Sequence, residues 1–106
     1  MKEVLKQIDD VVKNNAVVLF MKGTPDFPQC GFSQRVAAIL ADSCPSYTAI
    51  NVLLDDHVRE GIKKYADWPT IPQLYINGAF VGGCDIIIEL HENGELTNLL
   101  QQQPAD

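Results

Sequence analysis

The side chains best equipped for covalent or metal chemistry in this 106-residue chain are three cysteines, Cys30, Cys44 and Cys84. Cys30 stands in the most activating setting. It follows an apolar run, Ala16 to Met21, and a loop that opens Lys22-Gly23-Thr24-Pro25-Asp26-Phe27-Pro28-Gln29, and a helical pattern begins just after it. A thiol at a helix N-terminus faces unpaired backbone N–H groups and the positive end of the helix dipole. Both favour thiolate over thiol, so the sulfur becomes a nucleophile or a soft metal ligand. Lys22 adds a nearby positive charge. The polar and glycine neighbours of Cys30 argue against the ordinary fate of a free cysteine, which is burial as a small hydrophobe.

Cys84 and Asp85 follow Gly82-Gly83 and open a second helical segment. Free N–H groups there suit an anion, and Asp85 is placed either to cap the helix or to meet a cationic group. Cys44, beside Pro45 at a helix end, reads as packing. His57 and His91 lie on different segments among carboxylates and read as solvent-facing, and no His/Cys spacing matches a zinc site.

Composition narrows the setting. A formal charge of −6 argues against nonspecific nucleic-acid binding, which needs a basic face. No stretch approaches the ~20 apolar residues of a membrane span. The opening MKEVLKQIDD lacks the apolar core of a secretory signal, and an odd cysteine count argues against a disulfide framework. A reducing, cytoplasmic location of bacterial type is expected, with an organellar matrix as the alternative if a targeting segment has been removed. The length fits one domain over residues 1–106.

The elements that must position Cys30 can be read in order. Val4, Leu5, Ile8, Val11 and Val12 form one face of an amphipathic helix stopped by Asn14-Asn15. Residues 16–21 read as a strand buried on both faces. Val36, Ala37, Ile39 and Leu40 give a helix from Phe32 to about Asp42, ended by Pro45. Tyr47 to Val52 reads as a strand, and Asp55-Asp56 cap a helix carrying Val58, Ile62, Tyr65 and Ala66. Trp68-Pro69-Thr70-Ile71-Pro72 breaks it. Gln73 to Ile76 and Ala79 to Val81 flank Asn77-Gly78, a strong hairpin signal. A helix from Ile86 to Glu92, a stop at Asn93-Gly94 and a short helix with Leu96, Leu99 and Leu100 complete the chain, and the polar tail from Gln101 is expected to fray. The order α-β-α-β-α-β-β-α-α predicts an α/β fold, a four-stranded mixed sheet between helix layers.

This order, with a cysteine opening the crossover helix and a proline before the hairpin, resembles the thioredoxin fold. Lys22-Gly-Thr-Pro25, Cys30-Gly-Phe-Ser33, Trp68-Pro-Thr-Ile-Pro72 and Gly82-Gly-Cys-Asp85 together resemble the monothiol glutaredoxins with a Cys-Gly-Phe-Ser motif, over essentially the whole chain. The resemblance implies that glutathione lies across the helix start and the proline loop. It also implies that two protomers and two glutathiones hold one [2Fe-2S] cluster, with Cys30 as the protein ligand. It further implies delivery of such clusters to apo iron-sulfur proteins, BolA-like partner proteins, and weak disulfide reductase activity.

Carried onto this sequence, the resemblance assigns Lys22 and Arg59 to the glycine-end carboxylate of glutathione, although an arginine on a helix is ordinarily a solvated charge, as Lys63 and Lys64 are read to be. It places a cis proline at Pro72 after Thr70-Ile71, with the Ile71 backbone pairing with the ligand and its side chain free to be core. It assigns Cys84 and Asp85 to the γ-glutamyl end. Gly31 permits close approach to the sulfur, and Phe32 is either core or a half-exposed lid. Ser33 stands where dithiol relatives carry a second cysteine and cannot resolve a mixed disulfide, so a redox cycle needs glutathione or Cys84. A reversible Cys30–Cys84 disulfide is one alternative. A single soft thiolate per chain suits iron but cannot fill four ligand positions; two chains and two glutathione thiolates can, in agreement with what the resemblance implies. The competing readings are a cluster carrier, a glutathione-dependent thiol transferase using Cys30 alone, and a thioredoxin-like module with no cofactor.

Overall fold

The computed structural model describes residues 1–44 and 46–102. Pro45 as a helix stop, and fraying beyond Gln102, concern positions outside the described residues. The elements run α1 (Lys2–Asn14), β1 (Val17–Met21), α2 (Gly31–Ser43), β2 (Thr48–Asn51), a 3-10 turn (Val52–Leu54), α3 (Asp56–Ala66), β3 (Gln73–Ile76), β4 (Ala79–Gly82), α4 (Cys84–Glu92) and α5 (Glu95–Gln101).

The sheet order is β2-β1-β3-β4. β1 pairs with β2 in parallel and with β3 antiparallel, and β3 pairs with β4 antiparallel. β1 is therefore interior, and every one of its residues is buried. Because side chains alternate along a strand, its continuous apolar run feeds two cores. Val17, Leu19 and Met21 pack with Val36, Leu40, Ile87 and Leu96 on the side of α2, α4 and α5. Val18 and Phe20 pack with Ile8, Val12, Ile62 and Tyr75 on the side of α1 and α3. This is the thioredoxin-like arrangement expected from the sequence, a mixed four-stranded sheet flanked by helices.

The local signals act largely as their chemistry dictates. Asp55 caps α3, accepting from the His57 N–H at 2.8 Å. Asn77 and Gly78 both take positive φ, 52° and 83°, as the tight hairpin turn requires. Several boundaries differ from expectation by one or two residues: α2 begins at Gly31 rather than Phe32, β2 at Thr48 rather than Tyr47, β4 ends at Gly82 rather than Val81, and α4 begins at Cys84 rather than Ile86. The second strand stops at Asn51 rather than Val52, because the Asn51 side chain accepts from the Leu53 N–H and turns Val52–Leu54 into a 3-10 helix. Asp85 is not the cap of α4. Gly83 is, with Asp85 inside the first turn. The chain turns on the paired glycines: at Gly82 a Cβ would stand 2.8 Å from the Ile86 side chain, so only glycine lets the first turn of α4 pack this closely on the end of β4.

The loop before α2 is pinched at its base. Gly23 donates to Asn51 Oδ1 at 2.9 Å, Gln29 donates to the Lys22 carbonyl at 2.9 Å, and Gly23 bridges to Pro28. Gly23 holds φ at 91°, and a Cβ there would lie 2.5 Å from the Phe27 carbonyl oxygen. Gly31, by contrast, has open space around its missing Cβ. Gly23→Ala should therefore lower unfolding stability by more than ~1 kcal/mol, from strained φ and backbone collision, whereas Gly31→Ala should be neutral or mildly stabilising. Urea unfolding of the two variants checks the contrast.

Candidate functional site

Cys30 occupies the N-cap of α2, with extended backbone (φ −152°, ψ 136°). The N–H groups of the first helical turn are unpaired within a helix, although none makes a cap hydrogen bond to the Cys30 side chain. Its thiol pKa is held below the ordinary value. The Ser33 N–H is the largest cause, partly opposed by desolvation and reinforced by the Phe32 N–H, the Lys22 charge and the Ser33 hydroxyl. Ser33 itself is fully buried, and its hydroxyl accepts the Lys22 N–H at 3.0 Å. One serine thus ties the end of β1 to the first turn of α2 while stabilising the thiolate. Phe32 is 62% exposed, which decides the open question about it: it is not core.

A groove of about 650 Å³ opens beside this sulfur. The end of β1 and the start of α2 contribute Lys22, Cys30 and Phe32. The loop before β3 contributes Trp68 and the run Pro69 to Pro72, and the start of α4 contributes Gly83, Cys84 and Asp85. The Ile71–Pro72 bond is cis. The Ile71 side chain packs into the core on the α1 and α3 side. Of the residues expected to bind glutathione (Lys22, Cys30, Arg59, Thr70, Ile71, Pro72, Cys84 and Asp85), all but Arg59 line the groove. Lys63, four residues on and read as a solvated charge, lines it instead. Residues four apart share a helix face, so Arg59 stands one turn behind Lys63. Lys63 also meets Glu60 at 3.6 Å, an exposed pair of little energetic weight.

Cys84 shares the groove with Cys30, but its environment acts in the opposite direction. Burial first, then the charges of Asp85 and Cys30, push its thiol pKa up against the opposing charge of Arg35. Cys44 lies elsewhere, its thiol donating to the Ser46 carbonyl at 3.0 Å. His57 is exposed and His91 partly so. Among the described residues, no three His, Cys, Asp or Glu side chains gather as a metal site.

Two supporting residues escaped the sequence reading. Asn51 accepts from both Gly23 and Leu53, locking the loop base to the end of β2. Gln73 is fully buried; its amide donates to the Trp68 and Thr70 carbonyls at 3.2 and 3.1 Å and accepts the Tyr75 hydroxyl at 3.1 Å. It fixes the groove loop onto β3. A polar residue inside an otherwise apolar strand was the one available signal, since buried polar groups are kept where they are bonded.

Alkylation with iodoacetamide over a pH series, read by mass spectrometry, tests the opposed thiols. Cys30 should react with a midpoint below the ~8.5 of free cysteine and Cys84 with one above it. Lys22→Gln should move the Cys30 midpoint upward, because removing a cation destabilises the thiolate.

The glutaredoxin family model matches residues 17–81, which span β1 through β4 and contain Cys30 and the groove loop. A protein named probable monothiol glutaredoxin 2, from Rickettsia typhi, is 56% identical over 99 residues, covering 93% of this chain and 89% of its own. The solution structure of a monomeric truncated mutant of Trypanosoma brucei 1-C-Grx1 superposes with a TM-score of 0.83 at 42% identity, covering 92% of this chain and 88% of that one. A buckwheat glutaredoxin–glutathione complex does so with a TM-score of 0.82 at 26% identity, covering 93% and 88%. Fold, whole-length identity and the family match agree that this chain belongs to the glutaredoxin family, among relatives named as monothiol members.

Proposed function

We propose that the protein binds glutathione in the Cys30 groove and, as a homodimer, holds a [2Fe-2S] cluster that it passes to apo iron-sulfur proteins, in a bacterial-type cytoplasm. The observation that carries this reading is a low-pKa thiol with a fully buried serine, not a second thiol, one turn along its helix. A thiolate with no resolving neighbour persists as a ligand. The chain's own donor set supplies one groove thiolate of low pKa, so a four-thiolate site calls for a second copy and two glutathione sulfurs. The cluster, when bound, would be the cargo. A BolA-like protein in place of the second copy is part of the same proposal.

The groove suits glutathione on chemical grounds. Lys22 and Lys63, with Arg59 behind them, offer cations to the glycine-end carboxylate. The Ile71 backbone can pair with the cysteinyl residue as an added strand. The N-terminal N–H groups of α4 face the γ-glutamyl carboxylate, and Asp85 its amine. The buckwheat complex shows a glutaredoxin of the same fold with glutathione bound.

Anaerobic reconstitution with iron and sulfide, with and without glutathione, tests the proposal by visible absorption and by mass on a sizing column. A glutathione-dependent [2Fe-2S] spectrum at twice the chain mass is expected. Cys30→Ser should remove it without altering the melting temperature. A colourless monomer with robust glutathione-dependent thiol-disulfide oxidoreductase activity would favour the enzyme reading, with Cys30 as sole nucleophile. Asp85→Ala should weaken glutathione binding by roughly tenfold, the scale of one charge-assisted hydrogen bond, read by calorimetry. Because Gly83 and not Asp85 caps α4, such a loss would report ligand contact and not an uncapped helix.

A further inference from the structure

The groove loop is held from beneath by a buried amide. Gln73 is fully buried, and its Nε2 donates to two loop carbonyls, Trp68 at 3.2 Å and Thr70 at 3.1 Å. Two carbonyl oxygens at that range require the NH2 end of the amide, since the reverse orientation would set three oxygens against one another. The other end, Oε1, accepts the Tyr75 hydroxyl at 3.1 Å. Both amide hydrogens and the amide oxygen are thus satisfied. The Tyr75 ring is itself buried and packs on Phe20 and Phe80, with centroids 5.7 and 5.4 Å away. Burial first, then the charge of Tyr65, push its phenol pKa far above neutrality, so the hydroxyl stays a donor.

The consequence falls on one peptide. The Thr70–Ile71 bond is trans, and in a trans peptide the C=O and N–H point in opposite directions. With the Thr70 carbonyl drawn inward onto Gln73, the Ile71 N–H points outward, where Thr70 and Ile71 line the groove. Among the described residues this N–H meets no backbone acceptor. Pro69 and Pro72 carry no N–H, so Thr70 and Ile71 hold the only backbone donors of the run 69–72.

We propose that Gln73 and Tyr75 are positioning residues for the ligand: they set the Thr70–Ile71 peptide in advance, so that the Ile71 N–H meets a carbonyl of an extended peptide thiol. Without them the exposed Thr70 can turn its carbonyl to water, and the ligand must order the loop itself, which costs affinity. This inference rests on the glutathione reading and adds the buried residues that make the groove select a peptide.

Calorimetry with reduced glutathione and amide NMR test it in two variants. Gln73→Met keeps the side-chain length and removes both donors. Tyr75→Phe keeps the ring contacts and leaves the amide oxygen buried without a partner. Glutathione should bind roughly tenfold more weakly to Gln73→Met and roughly threefold more weakly to Tyr75→Phe, the scale of one hydrogen bond lost or degraded. In the ligand-free protein the N–H residual dipolar coupling of Ile71 should change in both variants, while those of Leu74 and Ile76 hold. On titration with glutathione, the Ile71 amide shift of the unsubstituted protein should shrink in the variants, whereas the Asp85 amide shift persists. Val12→Ala, a cavity in α1 away from the groove, should lower the melting temperature and leave the affinity unchanged, which separates lost stability from lost positioning. Unchanged affinity or an unchanged Ile71 coupling in either variant, with glutathione bound by the unsubstituted protein, would overturn this inference alone. No binding by the unsubstituted protein would overturn the glutathione reading and this inference with it.

Discussion

The site depends on one staple, the Lys22 N–H donated to the buried Ser33 hydroxyl. β1 is one of two interior strands, hydrogen-bonded on both sides, so its C-terminal end is held by the sheet. The staple fixes the first turn of α2 to that point, and the pinched loop returns the chain to it through Gly23, Asn51 and Gln29. Cys30 consequently sits at a helix start, where N–H groups are unpaired within the helix, outside the carboxyl ends of the parallel pair β1 and β2, where open α/β sheets place ligands. Activation of the thiol follows from the fold's geometry and does not need a dedicated base.

Local charge overrides net charge here. The chain carries −6 overall, yet the groove presents Lys22 and Lys63, with Arg59 one turn away. Screening limits exposed charges to a reach of about 8 Å at physiological ionic strength, so a small anionic ligand in the groove responds to these cations more than to distant carboxylates. The single acidic side chain in the lining, Asp85, lies at the α4 end, opposite in chemistry to the lysines. An anionic peptide with one ammonium group would be oriented by that contrast.

Much of this was legible in the sequence because the relevant signals are local. Apolar run length gave β1, Asn77-Gly78 gave the hairpin, and a thiol ahead of a helical stripe marked Cys30. The unread parts are those whose meaning is tertiary. Asn51 looks like any polar residue at a strand end until Gly23 arrives from 28 residues away. Gln73 becomes a bracket for the groove only once the Trp68 to Pro72 loop lies over it. Lys63 was taken for a solvated charge because helical periodicity shows which residues share a face, not what that face meets. The capping role of Asp85 rested on residue type, whereas α4 starts at Cys84 with Gly83 as its cap, two residues earlier than a cap at Asp85 would require.

The two groove thiols make the chemistry directional. In thiol–disulfide exchange the attacking sulfur must be thiolate, and the sulfur of lower pKa leaves faster. Cys30 is lowered by backbone donors, whereas Cys84 is raised by burial and by its acidic neighbours. Near neutral pH Cys30 is accordingly both the better-populated nucleophile and the better leaving group, and Cys84 is neither. A mixed disulfide formed at Cys30 is opened more readily by an incoming thiol attacking the partner sulfur than by Cys84 from within. The buried hydroxyl at position 33 removes the other internal route, since it is committed to Lys22 and carries no sulfur. The groove is thereby arranged to return Cys30 to a free thiolate through an external thiol, the same state in which it can ligate a metal.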